Sequence, residues 1–245
     1  APEQWKGKKT ERTAMSFKKV IFPFIKFKTK PMQDFLDECL KTTIYRVNKD
    51  AFSKEVKIGN VTYTVATGGL HSQDNPVELW SSGRELFPSS TGGQHDVLND
   101  DDYVYIHADI NSMYPSIIAA HKVAPAHLDT NAFCNLIGWL KNKRVEVKHS
   151  DEDTVDGIDR DTLALVLKIV INSVYGKLGF ENGNLYDRLA VLKTTINGQL
   201  MMLMLVEELE LHNIHVLSAN TDGIVIKLYK RDIDVYNRIK DDWEQ

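Results

Sequence analysis

The sequence has few of the residues that build disulfide scaffolds and structural zinc sites. Cys39 and Cys134 are the only cysteines among 245 residues, which is too few for a disulfide framework. No cluster of His and Cys indicates structural zinc. We also find no secretory leader and no uninterrupted apolar run long enough to cross a bilayer, so we expect an intracellular protein without a membrane partner.

Neither sign of charge dominates the whole chain, but the charges are unevenly spread. The formal net charge is -4, whereas residues 1–30 contain nine Lys or Arg and two acids and therefore carry +7. The other 215 residues sum to -11. A basic arm on an acidic body fits a polyanionic partner, because Lys and Arg release counterions from phosphates. A solvated chain end explains the same charges equally well.

Hydrophobic periodicity divides the chain into strands and helices, so the sequence predicts a mixed α+β fold. A strand is predicted at 103–108, and hairpins at 56–65 and 214–229, the second turning at Asn220–Gly223. Residues 72–102 are polar and rich in turn formers, which predicts a loop. Apolar residues at 3.6-residue spacing predict the helices, which are 32–40, 130–149, 160–175 and 188–212.

Two carboxylates lie where predicted strands end. Asp109 follows the strand at 103–108, and Asp222 lies in the turn of the second hairpin. Carboxylates at the ends of neighbouring strands can hold a pair of divalent ions, which stabilises in-line displacement at phosphorus. Taken singly, an Asp at a strand end is more typical of a turn or a helix cap.

The helices at 130–149 and 160–175 are joined by a short connection, which predicts an antiparallel helical hairpin. Arg144 and Lys148 lie four residues apart and share a helix face, as do Lys168 and Asn172. Such a group of cations suits a triphosphate. Arg144 and Lys148 also fit an ordinary solvated surface. Lys168 interrupts an apolar helix, so we expect it to be buried with a partner or a ligand.

These segments, taken in order, resemble the sequence motifs of family B DNA polymerases. Asp109–Ile118 resembles motif A, Lys168–Gly176 resembles motif B, and Ala219–Gly223 resembles motif C. They follow one another in the family's order, with an insert of finger size between A and B. The Gly68–His71 segment and the Asn220–Gly223 variant of motif C resemble phage-borne or plasmid-borne members.

The resemblance implies a fold and a division of the chain. The implied fold is α+β: a polymerase palm, which is an antiparallel sheet flanked by helices, with an inserted two-helix fingers hairpin. The exonuclease and thumb domains of a polymerase would lie outside this segment. The implied parts are a basic arm and lead-in helix at 1–55, a first palm part with motif A at 56–128, a fingers hairpin with motif B at 129–176, and a second palm part with motif C and a truncated lead toward a thumb at 177–245.

The resemblance also implies a function. A DNA-directed DNA polymerase adds dNTPs to a primer 3′-OH by two-metal phosphoryl transfer, here in viral or mobile-element replication and, if viral, in the cytoplasm of a host cell. The implied partners are primer–template DNA and dNTPs, and the implied cofactors are two Mg²⁺ ions that Mn²⁺ can replace. The implied catalytic residues are Asp109 and Asp222, and the implied metal ligands are Asp109, Ile110 and Asp222.

The resemblance further assigns the substrate contacts. Tyr114 would stack under the deoxyribose and exclude a 2′-OH. The implied dNTP-binding residues are Ser112, Met113, Tyr114, Arg144, Lys148, Lys168 and Asn172. The implied DNA-binding residues are Gly68, Gly69, Tyr175, Gly176 and Thr221.

The chain departs from the family pattern in motif C. Asn220 replaces the first Asp, which removes a negative charge beside the metals, and Gly223 replaces the usual Ser. Asn220, the missing thumb and the acidic body keep a non-catalytic palm-fold nucleic-acid-binding module as an alternative. Another palm enzyme, such as a reverse transcriptase or a nucleotidyl cyclase, is a third reading, against which Lys168 and Asn172 argue. Without a thumb, we expect this segment alone to extend primers poorly.

Overall fold

A computed structural model describes residues 7–46, 51–73 and 103–244. Apart from residues 72 and 73, which lie in a strand, the loop predicted at 72–102 lies outside the described residues.

The described residues form short strands and longer helices. The strands are β1 (Met15–Ser16), β2 (Thr43–Ile44), β3 (Ser53–Ile58), β4 (Val61–Ala66), β5 (Leu70–Gln73), β6 (Tyr103–Asp109), β7 (Thr154–Val155), β8 (Ile158–Asp159), β9 (His215–Asn220) and β10 (Gly223–Tyr229). The helices are α1 (Phe17–Val20), α2 (Lys30–Leu40), α3 (Met113–Ala120), α4 (Thr130–Lys148), α5 (Arg160–Leu178), α6 (Arg188–Leu211) and α7 (Ile233–Glu244), with a 3₁₀ turn at Lys230–Asp232. The predicted hairpins, the strand before Asp109 and the predicted helices are confirmed, with ends shifted by up to three residues.

The chain divides into two compact units, which we call the sheet unit and the hairpin unit. The described part of the sheet unit is 16–44, 51–73, 103–111 and 196–244. The described part of the hairpin unit is 7–15, 45–46 and 112–195. The predicted α+β class is confirmed. The four-part division of the chain into arm, palm and fingers stays a prediction.

The sheet unit is built on a six-stranded antiparallel sheet in the order β3-β4-β5-β9-β10-β6. Alternate residues of β4 are buried, as the period of two requires when one face of a strand packs on a core. Gly59 turns the β3–β4 hairpin with φ +58°, a conformation that glycine adopts without steric cost. This sheet places β6 beside β10, which matters for the candidate site.

The sheet-unit part of α6 is a core helix that carries buried polar side chains. Asn197 accepts the Phe22 N–H at 2.7 Å and donates to the Val20 carbonyl at 2.8 Å. Gln199 accepts the Ala66 N–H at 2.9 Å and donates to the Ala66 carbonyl at 2.7 Å. Each amide thus satisfies both a donor and an acceptor of another segment's backbone, so the helix fixes those segments in place.

Glu207 fixes the segment that leads into α2. Its carboxylate, only 3% exposed, accepts the N–H of Lys28 at 2.8 Å, the N–H of Thr29 at 2.9 Å and the Thr29 hydroxyl at 2.6 Å. Because these bonds go to an ionised acceptor, they are stronger than neutral ones. Part of the predicted basic arm is therefore bound to the core of the sheet unit.

By length and composition alone, α6 could cross a membrane. It is not an uninterrupted apolar run, however, because Lys193, Gln199 and Glu207 lie within it. Seventy-two per cent of its apolar stretch is buried inside the protein. Burial of this kind is typical of the core helix of a globular domain.

The hairpin unit is organised by α4 and α5, which pack against each other. The Asp129 side chain caps α4 by accepting the Ala132 N–H at 2.7 Å, and the Asp159 side chain caps α5 by accepting the Thr162 N–H at 2.8 Å. The two-residue strands β7 and β8 pair between the helices. The predicted helical hairpin is confirmed.

A buried ion pair ties residues near the N-terminus to the start of α6. Asp187, whose side chain is fully buried, accepts Arg12 Nε at 2.7 Å and Arg12 Nη2 at 2.8 Å. It also accepts the N–H groups of Ala126 and Leu189. Burial alone would raise the pKa of the Asp187 carboxyl, but Arg12 and these N–H groups outweigh it, and the pKa is lowered.

We expect Glu207→Ala to lower the free energy of unfolding by about 2–4 kcal/mol, because it leaves buried backbone donors without an acceptor. Urea unfolding followed by circular dichroism measures this. Glu38→Ala, which breaks an exposed pair with Lys41, serves as the control and should change stability by no more than about 0.5 kcal/mol. Equal effects in the two variants would contradict the role of Glu207.

We expect Arg12→Ala to cost about 3 kcal/mol at neutral pH, because it leaves the Asp187 carboxylate buried without its cation. The stability that this pair contributes is complete above the unfolded pKa of about 4 and is lost as the pH falls through the lower folded pKa. Stability should therefore fall less steeply below about pH 5 in Arg12→Ala than in the wild type. Parallel slopes in urea unfolding at several pH values would refute this assignment.

Candidate active site

The register of β6 and β10 brings two acidic residues to one end of the sheet. Gly223 lies opposite Asp109, and the Ile110 N–H donates to the Asp222 carbonyl at 2.8 Å. Asp222 lies in the turn between β9 and β10, one residue before that pair. The predicted placement of Asp109 and Asp222 at the ends of neighbouring strands is confirmed. Their catalytic role stays a prediction.

The Asp109 carboxylate lies over Gly223 and beside His107. A Cβ atom added at Gly223 would lie 2.3 Å from Asp109 Oδ1, so the carboxylate occupies the space that a side chain would need. His107 Nε2 lies 3.4 Å from the same oxygen, and both side chains are about half exposed, at 45% for His107 and 49% for Asp109. The carboxylate is therefore open to solvent on one side and packed against β10 on the other.

The Asp222 carboxyl is coupled to Asp109. Burial raises the pKa of Asp222, and the negative charge of Asp109 raises it further, while a backbone hydrogen bond and His107 act in the opposite direction. Within the described part of the chain, neither carboxylate forms an ion pair with Lys or Arg. Two like charges that repel one another favour the binding of a cation between them.

The turn that carries Asp222 has an unusual backbone. Thr221 has φ +55°, and the Asp222 N–H donates to the Asn220 carbonyl at 2.7 Å. This bond spans two residues, so Thr221 is the central residue of a γ-turn with positive φ.

The turn contacts the start of β5. The Thr221 N–H donates to the Leu70 carbonyl at 2.8 Å, and a Cβ added at Gly69 would lie 3.3 Å from Thr221 Oγ1. Gly69 is buried, whereas Gly68 is exposed and has open space around its Cα.

In the hairpin unit, Arg144 reaches the start of α3. Arg144 Nη1 donates to Ser112 Oγ at 2.9 Å, and Ser112 itself has φ +55°. Met113 is buried. Lys148 and Asn172 are exposed. This hydrogen bond joins two of the residues predicted to bind the triphosphate.

Two tyrosines from different motifs pack ring against ring, at a tilt, in the hairpin unit. The rings of Tyr114 on α3 and Tyr175 on α5 have centroids 4.4 Å apart at 33°. Burial raises the pKa of Tyr175, and Tyr114 raises it further. Gly176, the next residue, has no atom within 4 Å of an added Cβ. The motif A tyrosine and the motif B tyrosine are thus brought together.

Comparison with known proteins shows which family part of the chain resembles. The family model "DNA polymerase family B" matches residues 133–237. A DNA polymerase of Thermococcus sp. (strain 9oN-7) is 30% identical over 149 residues, covering 51% of this chain and 19% of the relative. A DNA polymerase of Desulfurococcus sp. (strain Tok) is 30% identical over 162 residues, covering 56% and 21%. Over residues 133–237 the chain is therefore similar to DNA polymerase family B, which supports the resemblance seen in its motifs.

More distant relatives agree with this assignment. The DNA polymerase alpha catalytic subunit of Arabidopsis thaliana is 28% identical over 157 residues, covering 57% of this chain and 10% of the relative. The chain therefore spans about a fifth of the length of the first two relatives and a tenth of the third. A solved family B DNA polymerase from Pyrobaculum calidifontis aligns with 58% of this chain and 22% of its own at 20% identity, with a TM-score of 0.39.

One expectation about the family B motif B is wrong. Lys168 was expected to be buried, because apolar residues flank it along the helix, but it is exposed. Its neighbours Leu165 and Ile169 are each 56% exposed. The apolar sequence of α5 does not indicate burial here, since only Leu167, Ile171 and Leu178 are buried on this helix. Lys168 therefore needs no protein partner to compensate for lost hydration.

Sequence reasoning missed His107 and the contact between Gly223 and Asp109. The period of two in β6 could have found His107, because residues two apart share a face of the sheet. The contact at Gly223 depends on the register between strands distant in sequence. No local pattern specifies that register to the residue.

The donor set of the sheet unit fits a hard divalent cation. Two carboxylates lie at one end of the sheet, and among the described residues no group of three or more His, Cys, Asp or Glu side chains could hold a metal ion. Mg²⁺ is commonly bound by one or two carboxylates, with water and substrate phosphates as the remaining ligands. Asp109 and Asp222 match that pattern, and they do not match a closed structural metal site.

Proposed function

We propose that this chain is part of a DNA-directed DNA polymerase that adds dNTPs to a primer 3′-OH by two-metal phosphoryl transfer. The observation that carries the proposal is the pairing of β6 with β10, which brings Asp109 and Asp222 to one end of the sheet in a chain that is similar to family B. We assign the sheet unit to a palm and the α4–α5 hairpin to fingers. The relatives are DNA polymerases in each case, which supports the activity.

The sheet unit would hold the cofactors. Asp109 and Asp222 would ligate two Mg²⁺ ions, which Mn²⁺ can replace, and the Ile110 carbonyl would add a backbone ligand. When bound, these ions would stabilise the attacking and leaving oxygens of an in-line displacement. The raised pKa of Asp222 supports this assignment, because a cation relieves the repulsion between the two carboxylates.

The hairpin unit would hold the incoming nucleotide. Arg144 offers a planar fork of N–H donors that matches a phosphate, and Ser112 Oγ, already its partner at 2.9 Å, lies where a phosphate oxygen would be received. The backbone at Met113 would contribute to the same contact. The exposed polar groups that complete this surface are Lys148, Lys168 and Asn172.

The two tyrosines that pack together would contact the sugar and the base pair of the incoming nucleotide. Tyr114 would lie under the deoxyribose and exclude a 2′-OH, and Tyr175, held by the ring contact, would lie with Gly176 against the nascent base pair. The proposed DNA contacts in the sheet unit are Gly68, Gly69 and Thr221. The partners are primer–template DNA, dNTPs and further polymerase domains, because this chain spans only about a fifth of the first relatives. We place the reaction inside a cell, in the replication of a virus or mobile element.

A second candidate is a nucleic-acid-binding module that keeps the fold without the chemistry. Asn220 favours it, because an amide replaces a carboxylate beside the proposed metals. Asn220 is exposed, and its side chain accepts a hydrogen bond from Thr221 Oγ1 at 3.1 Å. It therefore has a structural use in the turn that does not depend on metal binding.

Primer extension tests the proposal. With protein in excess over primer–template, so that weak duplex binding does not hide the chemistry, we expect Mg²⁺-dependent extension by the wild type. Asp109→Ala and Asp222→Ala should each reduce the rate by at least about 100-fold, since metal-held charge stabilisation contributes several kcal/mol. Asp151→Ala removes an exposed carboxylate in the α4–α5 connection and should leave the rate unchanged.

The outcomes separate the two candidates. Extension that survives Asp222→Ala would refute the proposed site. No extension by the wild type, with primer–template binding retained, would favour the non-catalytic module.

Nucleotide binding tests the role of Arg144. Arg144→Ala should weaken dNTP binding about 10–100-fold, because it removes a charge-assisted contact to phosphate. Arg144→Lys keeps the charge but loses the fork, so it should recover only part of the affinity. Arg238→Ala removes the same side chain from the exposed surface of α7 and is the matched control. Equal dNTP affinity in Arg144→Ala and Arg238→Ala would refute the assignment of Arg144 to dNTP binding.

A further inference from the structure

The γ-turn at Thr221 places a β-branched residue in a conformation that favours glycine. L-residues avoid positive φ because Cβ then crowds the following carbonyl, and branching at Cβ makes the crowding worse. Hairpins that need positive φ at this position commonly use Gly. Such a conformation persists when the surrounding structure over-determines it, and it is found disproportionately at functional sites.

The start of β5 is what holds Thr221. The Leu70 carbonyl accepts the Thr221 N–H at 2.8 Å, and the Asn220 side chain accepts the Thr221 hydroxyl at 3.1 Å. Gly69 packs so closely on the threonine side chain that an added Cβ would lie 3.3 Å from Oγ1 and 3.7 Å from Cγ2. His71 pairs with Asn220 and aligns the two strands at this point.

The turn decides which face of the sheet receives the Asp222 side chain. Gly223 lies opposite Asp109, so these two residues share a face. In an extended strand the preceding residue, Asp222, would point to the other face, away from Asp109. The γ-turn at Thr221 interrupts this alternation, and the Ile110 N–H, next to Asp109, donates to the Asp222 carbonyl at 2.8 Å, so the Asp222 backbone lies beside the end of β6.

We propose that Gly69, Leu70 and Thr221 form a positioning device that holds the Asp222 carboxylate beside Asp109. This inference rests on the proposed metal site and deepens it. It gives Gly69 and Thr221 a role through Asp222, in place of the direct DNA contact that the family resemblance implies for them. Gly68, one residue away with open space around it, takes no part in the device.

Mn²⁺ binding to the whole chain tests the device without any need for activity. Free Mn²⁺ is measured by electron paramagnetic resonance during titration, and circular dichroism confirms that each variant is folded. Thr221→Gly releases the constraint on the turn and should weaken Mn²⁺ binding about 10–100-fold, the range typical of groups that orient metal ligands. Affinity within about twofold of the wild type would overturn the proposal.

The two glycines provide a matched pair. Gly69→Ala forces the Thr221 side chain to move and should also weaken Mn²⁺ binding, whereas Gly68→Ala should not change it. In the Thr221→Gly background the contact is absent, so adding Gly69→Ala should have no further effect. Equal losses in the two alanine variants, or additive losses in the double variant, would contradict the device.

Asp222→Ala, titrated with Mn²⁺ in parallel, distinguishes failure of the proposed metal site from failure of the positioning device. If it binds Mn²⁺ as the wild type does, the proposed metal site is wrong. If it loses binding while Thr221→Gly and Gly69→Ala keep it, the metal site stands and only the positioning device is refuted.

Discussion

The candidate site depends on one pairing in the sheet: Gly223 of β10 opposite Asp109 of β6. Side chains alternate between the faces of a sheet, so a slip of one residue would move Asp109 to the face opposite its present one. The glycine adds a second constraint, because a side chain at 223 would collide with the Asp109 carboxylate in its present position. The third constraint is the turn at Thr221, which interrupts the alternation of side chains between the two faces of the sheet just before Asp222. Register, glycine and turn act together, and each is needed for two carboxylates to lie near one another.

A close pair of carboxylates opposes folding, so the rest of the sheet unit must compensate for it. Burial and like charge both raise the pKa of Asp222, which means that the folded protein holds this group at a cost when it is ionised. The core that offsets the cost is centred on α6, where Asn197 and Gln199 bind backbone groups of distant segments and Glu207 binds the lead into α2. Because these polar side chains are fully used, they fix where each segment lies as well as stabilising it.

Much of the fold could be predicted from the sequence, because periodicity and turn residues are local signals. The hairpins at 56–65 and 214–229 and the long helices follow from spacing alone, and the motifs gave the family. Burial was harder to predict, as Lys168 shows. An apolar helix is buried only if other elements cover it, and on α5 much of the apolar surface stays exposed. The roles of His107, Gly69 and Gly223 depend on pairings across the sheet, which no local pattern encodes. Neither the periodicity of the sequence nor the fold determines which of the remaining predicted site residues bind metal, nucleotide or DNA. Those roles stay predictions.

The proposed site residues of the two units carry opposite charges. This supports different roles for the two units in the proposed reaction. The sheet unit brings together two carboxylates with no Lys or Arg paired to them among the described residues. The hairpin unit presents Lys148 and Lys168 to solvent, where a hydrated cation costs nothing to maintain. A triphosphate carries charge that both arrangements can use, one through bound cations and the other directly. Asn220 would shift this balance, because one carboxylate fewer beside the two proposed divalent ions would leave the metals less neutralised. Such a site would hold its metals less tightly in the absence of nucleotide and would attract the triphosphate more strongly once they are bound.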